Sequence, residues 1–271
     1  MTNVKLSVIT INYNNYEGLK KTIKSVRNQT NQNFEYIIID GNSDDNSLQI
    51  INENIDIITT WVSELDEGIY NAMNKGIKKS NGDYIIFINS GDYFYSNHII
   101  ENILSHLHNE DLIYGNLCHI NNSKQEIFHY PEFLSIQYIW KYSLPHPSTF
   151  IKKSLLFDIG LFNEKDKITS DWQFFMSALF LKNCSYKKLN FTISTFIGNG
   201  ISNKFESLNR IENEKYSFMR KNFPKINLIQ LNTIIKHEDI LRDFKYKHLT
   251  KLLFNLGFYK NIEKYLKNIS S

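Results

Sequence analysis

The 271-residue sequence lacks the features that define several protein classes. Its two cysteines, Cys118 and Cys184, lie far apart without metal-ligand spacing, so we expect neither a disulfide framework nor a cysteine-bound metal. No apolar run reaches about 18 residues, so no bilayer-spanning helix is predicted. The first residues lack the pattern of a signal peptide. We therefore expect a cytoplasmic protein.

Two nucleotide-binding motifs are also missing. No Gly-x-Gly-x-x-Gly follows the first predicted strand, and no Walker-type Gly-Lys-Ser/Thr occurs, which counts against dinucleotide and P-loop proteins. The residues after that strand, 13–17, are neither basic nor glycine-rich, although a nucleotidyltransferase normally holds a triphosphate with a loop of that kind. No nucleic acid partner is expected.

The net charge of +3 is unevenly distributed. Residues 204–271 contain 14 lysines and arginines against 7 aspartates and glutamates, and their lysines alternate with apolar residues in helical patterns. We predict a basic helical extension that lies against an anionic membrane surface. In the alternative interpretation its apolar residues pack on the rest of the chain or on a second copy, so a homodimer stays open.

The first 90 residues alternate between strand and helix patterns. Leu19, Ile23 and Val26 share one helical face, and β-branched apolar runs predict buried strands. This alternation predicts an α/β fold, with a mostly parallel sheet flanked by helices. The predicted strands cover residues 5–11, 36–39, 55–61 and 83–88, and the predicted helices cover residues 46–54 and 69–79, the second with a break near Gly76. Strands are also predicted at 111–115 and 148–151, and an apolar helix at 171–181.

Polar residues follow three of these strands, at Asn12, Asp40 and 89–92. Ligands bind outside the carboxyl ends of parallel strands, so we expect a site there. Asp40 could accept hydrogen bonds from a ribose or a base, and Asp92 could hold a cation that offsets the charge of a diphosphate. Turn formation and helix capping explain the same residues, and this alternative stays open.

Two further residues are candidates for chemistry. Asp171 opens the apolar helix and could act as a general base, although an acidic residue there also stabilises the helix dipole. His146, between Pro145 and Pro147, could contact a phosphate or a metal, or could be a structural loop residue. Trp172 is a candidate stacking platform or a core residue.

Four segments together resemble family 2 glycosyltransferases of the GT-A fold, over roughly residues 5–203. They resemble most the members that build bacterial O-antigen and colanic-acid repeat units. The segments are SVITINYN, DGNSDDNS, SELDEGIYNAMNKGI and GDYIIFINSGD. The resemblance implies a nucleotide-diphospho-sugar transferase domain at 1–203, with a nucleotide-sugar-binding half at about 1–110, an acceptor-side half at 111–203, and the extension at 204–271.

The resemblance also implies residue roles. Asp171 corresponds to the general base, and Asp92 to the acid that meets Mn²⁺ or Mg²⁺, with His146 as a second candidate ligand. A glycine- and serine-containing loop at 198–202 would close near the diphosphate. Many relatives have Asp-x-Asp-Asp where this chain has 89–92, so two carboxylates are missing. The donor would be bound by Thr10, Asn12, Asp40, Asp45, Glu64, Asp66, Gly68, Asn74, Lys75, Asn89 and Gly91.

The sequence thus predicts an inverting glycosyltransferase. Its expected donor is a UDP-hexose or UDP-N-acetylhexosamine, and its expected acceptor is a sugar hydroxyl on a polyprenyl diphosphate. Because that acceptor is confined to the bilayer, we expect a peripheral protein on the inner face of the plasma membrane. The alternatives are a non-catalytic nucleotide- or glycan-binding module and a nucleotidyltransferase.

Overall fold

The computed structural model describes residues 6–121, 124–197, 208–233 and 235–237. The chain divides into two compact units, Met1–Phe218 and Met219–Ser271. The first unit therefore extends beyond residue 203, where the catalytic domain was predicted to end. The predicted loop at 198–202 and the lysine-rich end of the extension, from 238 on, lie outside the described residues.

Every strand found among the described residues belongs to the first unit. They are β1 (Leu6–Asn12), β2 (Glu35–Asp40), β3 (Thr60–Ser63), β4 (Tyr84–Phe87), β5 (Tyr93–Phe94), β6 (Leu112–Asn121), β7 (Lys124–Phe128), β8 (Thr149–Lys152) and β9 (Tyr186–Ile197). Among the described residues they form one sheet in the order β3-β2-β1-β4-β8-β6-β9-β5, and β7 pairs with β6.

The sheet has two parts with different strand directions. β3, β2, β1 and β4 are mutually parallel, so their carboxyl ends meet at one edge. β8 is antiparallel to both β4 and β6, whereas β6 and β9 are parallel to each other. The predicted α/β architecture is confirmed, and its parallel part is the half that the alternating pattern predicted.

Eight α-helices have both ends within the described residues. They are α1 (Tyr16–Arg27), α2 (Ser47–Asn52), α3 (Ile69–Lys79), α4 (Ile99–Leu104), α5 (Ile136–Tyr142), α6 (Lys153–Ile159), α7 (Ser170–Phe180) and α8 (Leu208–Asn222). A 3₁₀ turn covers His146–Ser148. In these ranges no helix is long and apolar enough to cross a membrane. In the second unit, residues 228–233 and 235–237 are also helical.

The hydrophobic pattern explains the layers of the first unit. All seven residues of β1 are buried, because helices cover both faces of the parallel strands. Helix α1 buries the predicted face of Leu19, Ile23 and Val26, and it begins where the Asn15 side chain accepts from the Gly18 N–H.

Two local predictions are wrong. Helix α3 runs without interruption through Gly76. A Cβ at that position would lie 2.6 Å from the Ile9 side chain, which explains why the residue is glycine. The glycine allows a close approach of the helix to the sheet and does not break the helix. The strand predicted at 55–61 is β3, which begins only at Thr60, since residues 53–57 form turns.

Candidate active site

Asn12 and Asp40 are neighbours at the carboxyl ends of β1 and β2. Asp40 Oδ1 accepts from Asn12 Nδ2 (2.8 Å) and the Ser43 hydroxyl (2.6 Å), and Oδ2 accepts from the Ser43 N–H (2.9 Å) and the Ser63 hydroxyl (2.7 Å). The residue is fully buried. Asp40 therefore shapes this edge of the sheet, and a direct contact between its carboxylate and a nucleotide stays a prediction.

Asn12 differs from Asp40 because one of its polar atoms is unused. Its Oδ1 is buried and has no hydrogen-bond partner in the described structure, while Nδ2 is held by Asp40 and by the Ser47 hydroxyl at 2.9 Å. A buried acceptor without a donor is costly, so Asn12 Oδ1 is suited to a ligand N–H or O–H. Thr10 lies deeper, with its hydroxyl bonded to Tyr36 and to the Ile88 carbonyl.

Asp45 joins two helix starts. Its carboxylate accepts from the Tyr16 N–H at 2.8 Å and from the Ser47 N–H at 2.9 Å. Burial raises the pKa of Asp45, but the hydrogen bonds from Ser47 and Tyr16 outweigh it and hold the pKa below its usual value. Asp45 thus fixes the loop between β2 and α2 against the start of α1.

The loop before α3 approaches the same edge. Asp66 Oδ1 accepts from the Gly68 N–H at 2.9 Å, and Asp66 Oδ2 occupies the space that a Cβ at Gly41 would need. Gly68 has a φ of +123°, a conformation that favours glycine. Lys75 pairs with Glu64 at 2.9 Å and lowers the pKa of that carboxyl. The Lys75 charge is therefore already balanced within the protein.

Asn74, the remaining residue predicted on this side, has its contacts in the protein interior. Its amide bonds the backbone of Phe162 in both directions and donates to Glu164 at 2.7 Å. It is buried, and it joins α3 to the segment that precedes α7. These contacts describe a structural residue, so its predicted role toward the donor has no support in the geometry.

The loop after β4 is fixed by one hydroxyl. Thr22 Oγ1 lies 3.0 Å from the Gly91 N–H and donates to the Asp92 carbonyl at 2.6 Å. Gly91 has a φ of +104°, which allows the reversal that brings the Asp92 side chain back toward the sheet. Ile197 donates its N–H to Asp92 Oδ1 at 3.4 Å.

A chain of side-chain contacts connects this loop to the predicted base. Asn89 Nδ2 lies 3.1 Å from His146 Nε2, and His146 Nδ1 lies 3.4 Å from Asp171 Oδ2. His146 can donate from Nδ1 to Asp171, and its Nε2 contacts Asn89, so one imidazole ring links the two side chains. Asp171 Oδ1 lies 3.0 Å from the Tyr70 hydroxyl, whose single hydrogen is shared with the Ile168 carbonyl at 2.6 Å.

The surroundings of Asp171 keep it ionised. Burial raises its pKa, but the hydrogen bond and charge of His146, together with the bonds from Tyr70 and the Trp172 N–H, lower the pKa below the usual value. The side chain is still 23% exposed, so a substrate can reach it. Asp171 is therefore a held, charged and accessible proton acceptor.

Asp92 has the opposite environment. Burial raises its pKa to about 7, and the charge of His146 only partly opposes this effect. A buried carboxylate gains most from a cationic partner. Sequence reasoning identified both acids, but the motif alone does not show that their protonation behaviour differs.

The donor atoms around Asp92 decide whether a divalent cation fits here. Within the described ranges no three His, Cys, Asp or Glu side chains form a metal-binding group. Both ring nitrogens of His146 already contact side chains, which argues against His146 as a ligand. Asn89 Oδ1, however, is buried without a partner, and with Asp92 it offers two oxygens. Mg²⁺ and Mn²⁺ accept such oxygens and fill the remaining positions with water and phosphate, so the residues fit a weak site.

Two neighbouring aromatic residues have roles that the sequence left open or missed. Trp172 is buried and donates to the Ile139 carbonyl at 2.7 Å, so it is a core residue and not a stacking platform. Tyr70 was missed as a site residue. It lies in a matched segment two positions after Gly68, but a tyrosine on an amphipathic helix gives no signal that its hydroxyl meets an acid 101 residues later.

The parallel strands with their polar edge, continued by an antiparallel part, form a GT-A fold, and solved structures agree. The chain resembles the S. aureus TarS 1–349 complex with UDP-GlcNAc at a TM-score of 0.64 and 19% identity, over 90% of this chain and 74% of TarS 1–349. It also resembles the mannosyltransferase PcManGT of Pyrobaculum calidifontis in complex with GDP-Man and Mn²⁺. The TM-score is 0.61 and the identity 10%, over 96% of this chain and 82% of PcManGT. At these identities the likeness shows the fold.

Sequence comparison gives the family. Residues 7–178 match glycosyl transferase family 2, and the chain belongs to that family. It is 31% identical over 182 residues to an uncharacterized glycosyltransferase of Mycobacterium tuberculosis, covering 64% of this chain and 68% of the relative. It is 25% identical to a PGL/p-HBAD biosynthesis glycosyltransferase of Mycobacterium bovis, covering 58% of this chain and 62% of that relative.

Proposed function

We propose that this protein transfers a hexose or N-acetylhexosamine from a UDP-sugar to a sugar hydroxyl, with inversion at the anomeric carbon. The observation that carries the proposal is the placement of Asp171. Its carboxylate is ionised, accessible and held by Tyr70 and His146, and His146 leads through Asn89 to the loop of Asp92. A base and a diphosphate-side acid are thus held by one connected network.

In the proposed reaction Asp171 takes the proton of the acceptor hydroxyl. The freed oxygen electrons form the new bond to the anomeric carbon while the bond to the diphosphate oxygen breaks, and its electron pair leaves with the nucleoside diphosphate. One displacement inverts the anomeric centre. Tyr70 and His146 orient the carboxylate, and Asp171 carries the proton after the transfer.

On the donor side, Asp92 and Asn89 would hold Mn²⁺ or Mg²⁺. The ion would offset the charge of the departing diphosphate. Asn12 Oδ1 supplies a free acceptor for the nucleoside, and Asp45, Asp66 and Gly68 shape the loops around it. The complexes of TarS with UDP-GlcNAc and of PcManGT with GDP-Man and Mn²⁺ support a nucleotide-sugar donor and a metal for this chain.

The acceptor belongs to the same proposal. We expect a saccharide on a polyprenyl diphosphate in surface polysaccharide synthesis, as in O-antigen assembly, with the protein peripheral on the cytoplasmic face of the membrane. The sequence resemblance and the basic residues after 204 support this interpretation. Glycosyl transfer to other acceptors would leave the roles of Asp171 and Asp92 unchanged.

The test combines binding with turnover. Thermal unfolding is measured with UDP-glucose, UDP-GlcNAc, UDP-galactose and GDP-mannose, with Mn²⁺ or with excess chelator. A ligand at about 100 times its Kd stabilises the fold by about 2.7 kcal/mol. The stabilising donor is then assayed for UDP or GDP release in the presence of a polyprenyl-diphosphate-linked saccharide. Stabilisation without release in the wild type supports the non-catalytic module instead, and no stabilisation by any donor contradicts the proposal.

A further inference from the structure

One carboxylate of helix α8 accepts hydrogen bonds from the backbone segment that leads into α7. Glu214 Oε1 accepts from the Lys167 N–H at 3.0 Å. Glu214 Oε2 accepts from the Ile168 N–H at 3.3 Å, from the Thr169 N–H at 3.0 Å and from the Thr169 hydroxyl at 2.9 Å. These three residues directly precede Ser170, where α7 begins, and Asp171 is the second residue of that helix.

Helix α7 does not provide this cap itself. Thr169 is its N-cap residue, but the Thr169 side chain makes no capping bond to the helix backbone and donates to Glu214 instead. N–H groups at a helix start lack intrahelical acceptors, and a negative charge there is favourable because of the helix dipole. Glu214 supplies the negative charge and accepts the N–H of the N-cap residue Thr169, 45 residues away in sequence, while the N–H groups of Lys167 and Ile168 lie in the segment just before the helix.

The residue after Glu214, Lys215, connects α8 to α5 and α7. Lys215 Nζ donates to the Trp140 carbonyl at 2.8 Å and lies 4.8 Å from the centre of the Trp172 ring. Burial lowers the pKa of Lys215 to about 8, whereas the charge of Asp171 raises it. The Lys215 ammonium group therefore lies against Trp172, the residue after Asp171, and interacts electrostatically with the Asp171 carboxylate.

The segment 167–171 is also the point where the two substrate sides meet. Lys167 Nζ donates to the Glu67 carbonyl at 2.9 Å, next to the Gly68 turn of the donor-side loop. The Ile168 carbonyl accepts the Tyr70 hydroxyl that also contacts Asp171. A shift of this segment would displace the base relative to the donor.

We propose that Glu214 is a positioning residue for Asp171: its carboxylate caps α7 from another helix and so fixes the base in the geometry required for proton transfer. The inference rests on the proposed function, because it assigns Asp171 the role of base. It also places a residue that serves the reaction beyond the family match, which ends at residue 178. The start of the predicted extension is then part of the active-site framework.

The test compares Glu214→Gln and Glu214→Ala with Glu212→Gln, an exposed glutamate of the same helix. Glutamine keeps the size of the side chain, but its NH₂ group cannot accept an N–H. Because a misplacement of about 1 Å can reduce turnover by about 10²-fold, we expect Glu214→Gln to lower kcat by about 10- to 100-fold. The KM for the donor and the melting temperature should stay near those of Glu212→Gln, and Glu214→Ala should lose more activity.

Amide hydrogen exchange gives a readout that needs no substrate. The N–H groups of Lys167, Ile168 and Thr169 should exchange faster in Glu214→Gln than in Glu212→Gln. A kcat equal to that of Glu212→Gln, or one that falls only with the folded fraction, overturns the positioning role. If the wild type itself has no turnover, the proposed function fails, and unchanged exchange at 167–169 would then separately refute the cap.

Discussion

The Tyr70 hydroxyl lies 3.0 Å from Asp171 Oδ1, which joins the helix after the donor-side loop to the helix that carries the proposed base. The same hydroxyl is 2.6 Å from the Ile168 carbonyl. Because Tyr70 is buried and its own pKa is raised well above the usual value, it stays protonated and acts as a donor at all working pH values. This contact gives the first prediction.

Tyr70→Phe should move the acid limb of the activity profile to higher pH. The pKa of Asp171 is depressed in the folded protein, so activity is present above that pKa and is lost as pH falls through it. Removing the Tyr70 bond removes one of the groups that lower the pKa, so the loss begins at higher pH. The pH dependence of kcat measures the shift, and Tyr95→Phe, at an exposed site, is the control. An unmoved acid limb would show that Tyr70 does not act on the base.

Asp171→Asn should nearly abolish transfer while nucleotide binding is retained. The substitution keeps the shape and an oxygen that can accept from Tyr70 or His146, but it removes the basic carboxylate. Loss of a general base typically lowers the rate by about 10²–10⁴-fold. Turnover and UDP affinity are measured beside Asp158→Asn, an exposed aspartate on α6. A collapse of thermal stability with retained turnover would favour the capping role alone.

Asp92→Ala should weaken UDP binding mainly when Mn²⁺ or Mg²⁺ is present. The buried Asp92 carboxylate has a raised pKa, so a bound cation both pairs with it and favours its ionised form. Calorimetric titration with UDP in Mn²⁺ and in excess chelator gives four affinities for wild type and variant. If the wild-type affinity is the same in chelator, the protein does not use a metal at this position.

The basic extension should bind anionic vesicles in a salt-dependent manner. Each lysine near such a surface contributes about 1 kcal/mol, and salt screens it. Flotation is compared at low and high salt between the full chain and a variant with six lysines changed to glutamine. A control changes Lys20, Lys21 and Lys24, which are exposed on α1. The six lysines are Lys245, Lys247, Lys251, Lys260, Lys264 and Lys267. Wild-type protein that stays in the soluble fraction at low salt would support packing of the extension instead.

Glu35→Gln should destabilise the first unit at neutral pH. Burial raises the pKa of Glu35, but bonds from Ser7 and from the Asn81 and Gly82 N–H groups outweigh it and lower the pKa. A depressed carboxyl pKa adds stability above the unfolded value of about 4.3, and this is lost as pH falls through the folded value. Melting temperatures of wild type and variant should therefore differ at pH 7 and converge as the pH falls through the folded pKa of Glu35. Glu126→Gln, on the exposed β7, should show no such difference.

Local sequence pattern was sufficient for the parallel half of the fold. The apolar runs of β1, β2 and β4 and the spaced apolar residues of α1 identify their elements, because period and burial are properties of short segments. The order of motifs was sufficient for the family, whereas the roles of the two acids stay predictions. The break at Gly76 was predicted wrongly, since its reason, contact with Ile9, belongs to another element.

Only the tertiary structure decided how the polar residues are used. Asp40 and Asn74 are as polar as Asn12 and Asp171, but folding buries the first two among internal partners and leaves Asn12 with an unused acceptor and Asp171 with a partly exposed side chain. The cap that Glu214 places on α7 depends on a contact across 45 residues. The sequence determined which polar groups are available. Tertiary structure determined which of them have internal partners, because burial and long-range hydrogen bonds depend on residues that are distant in the chain.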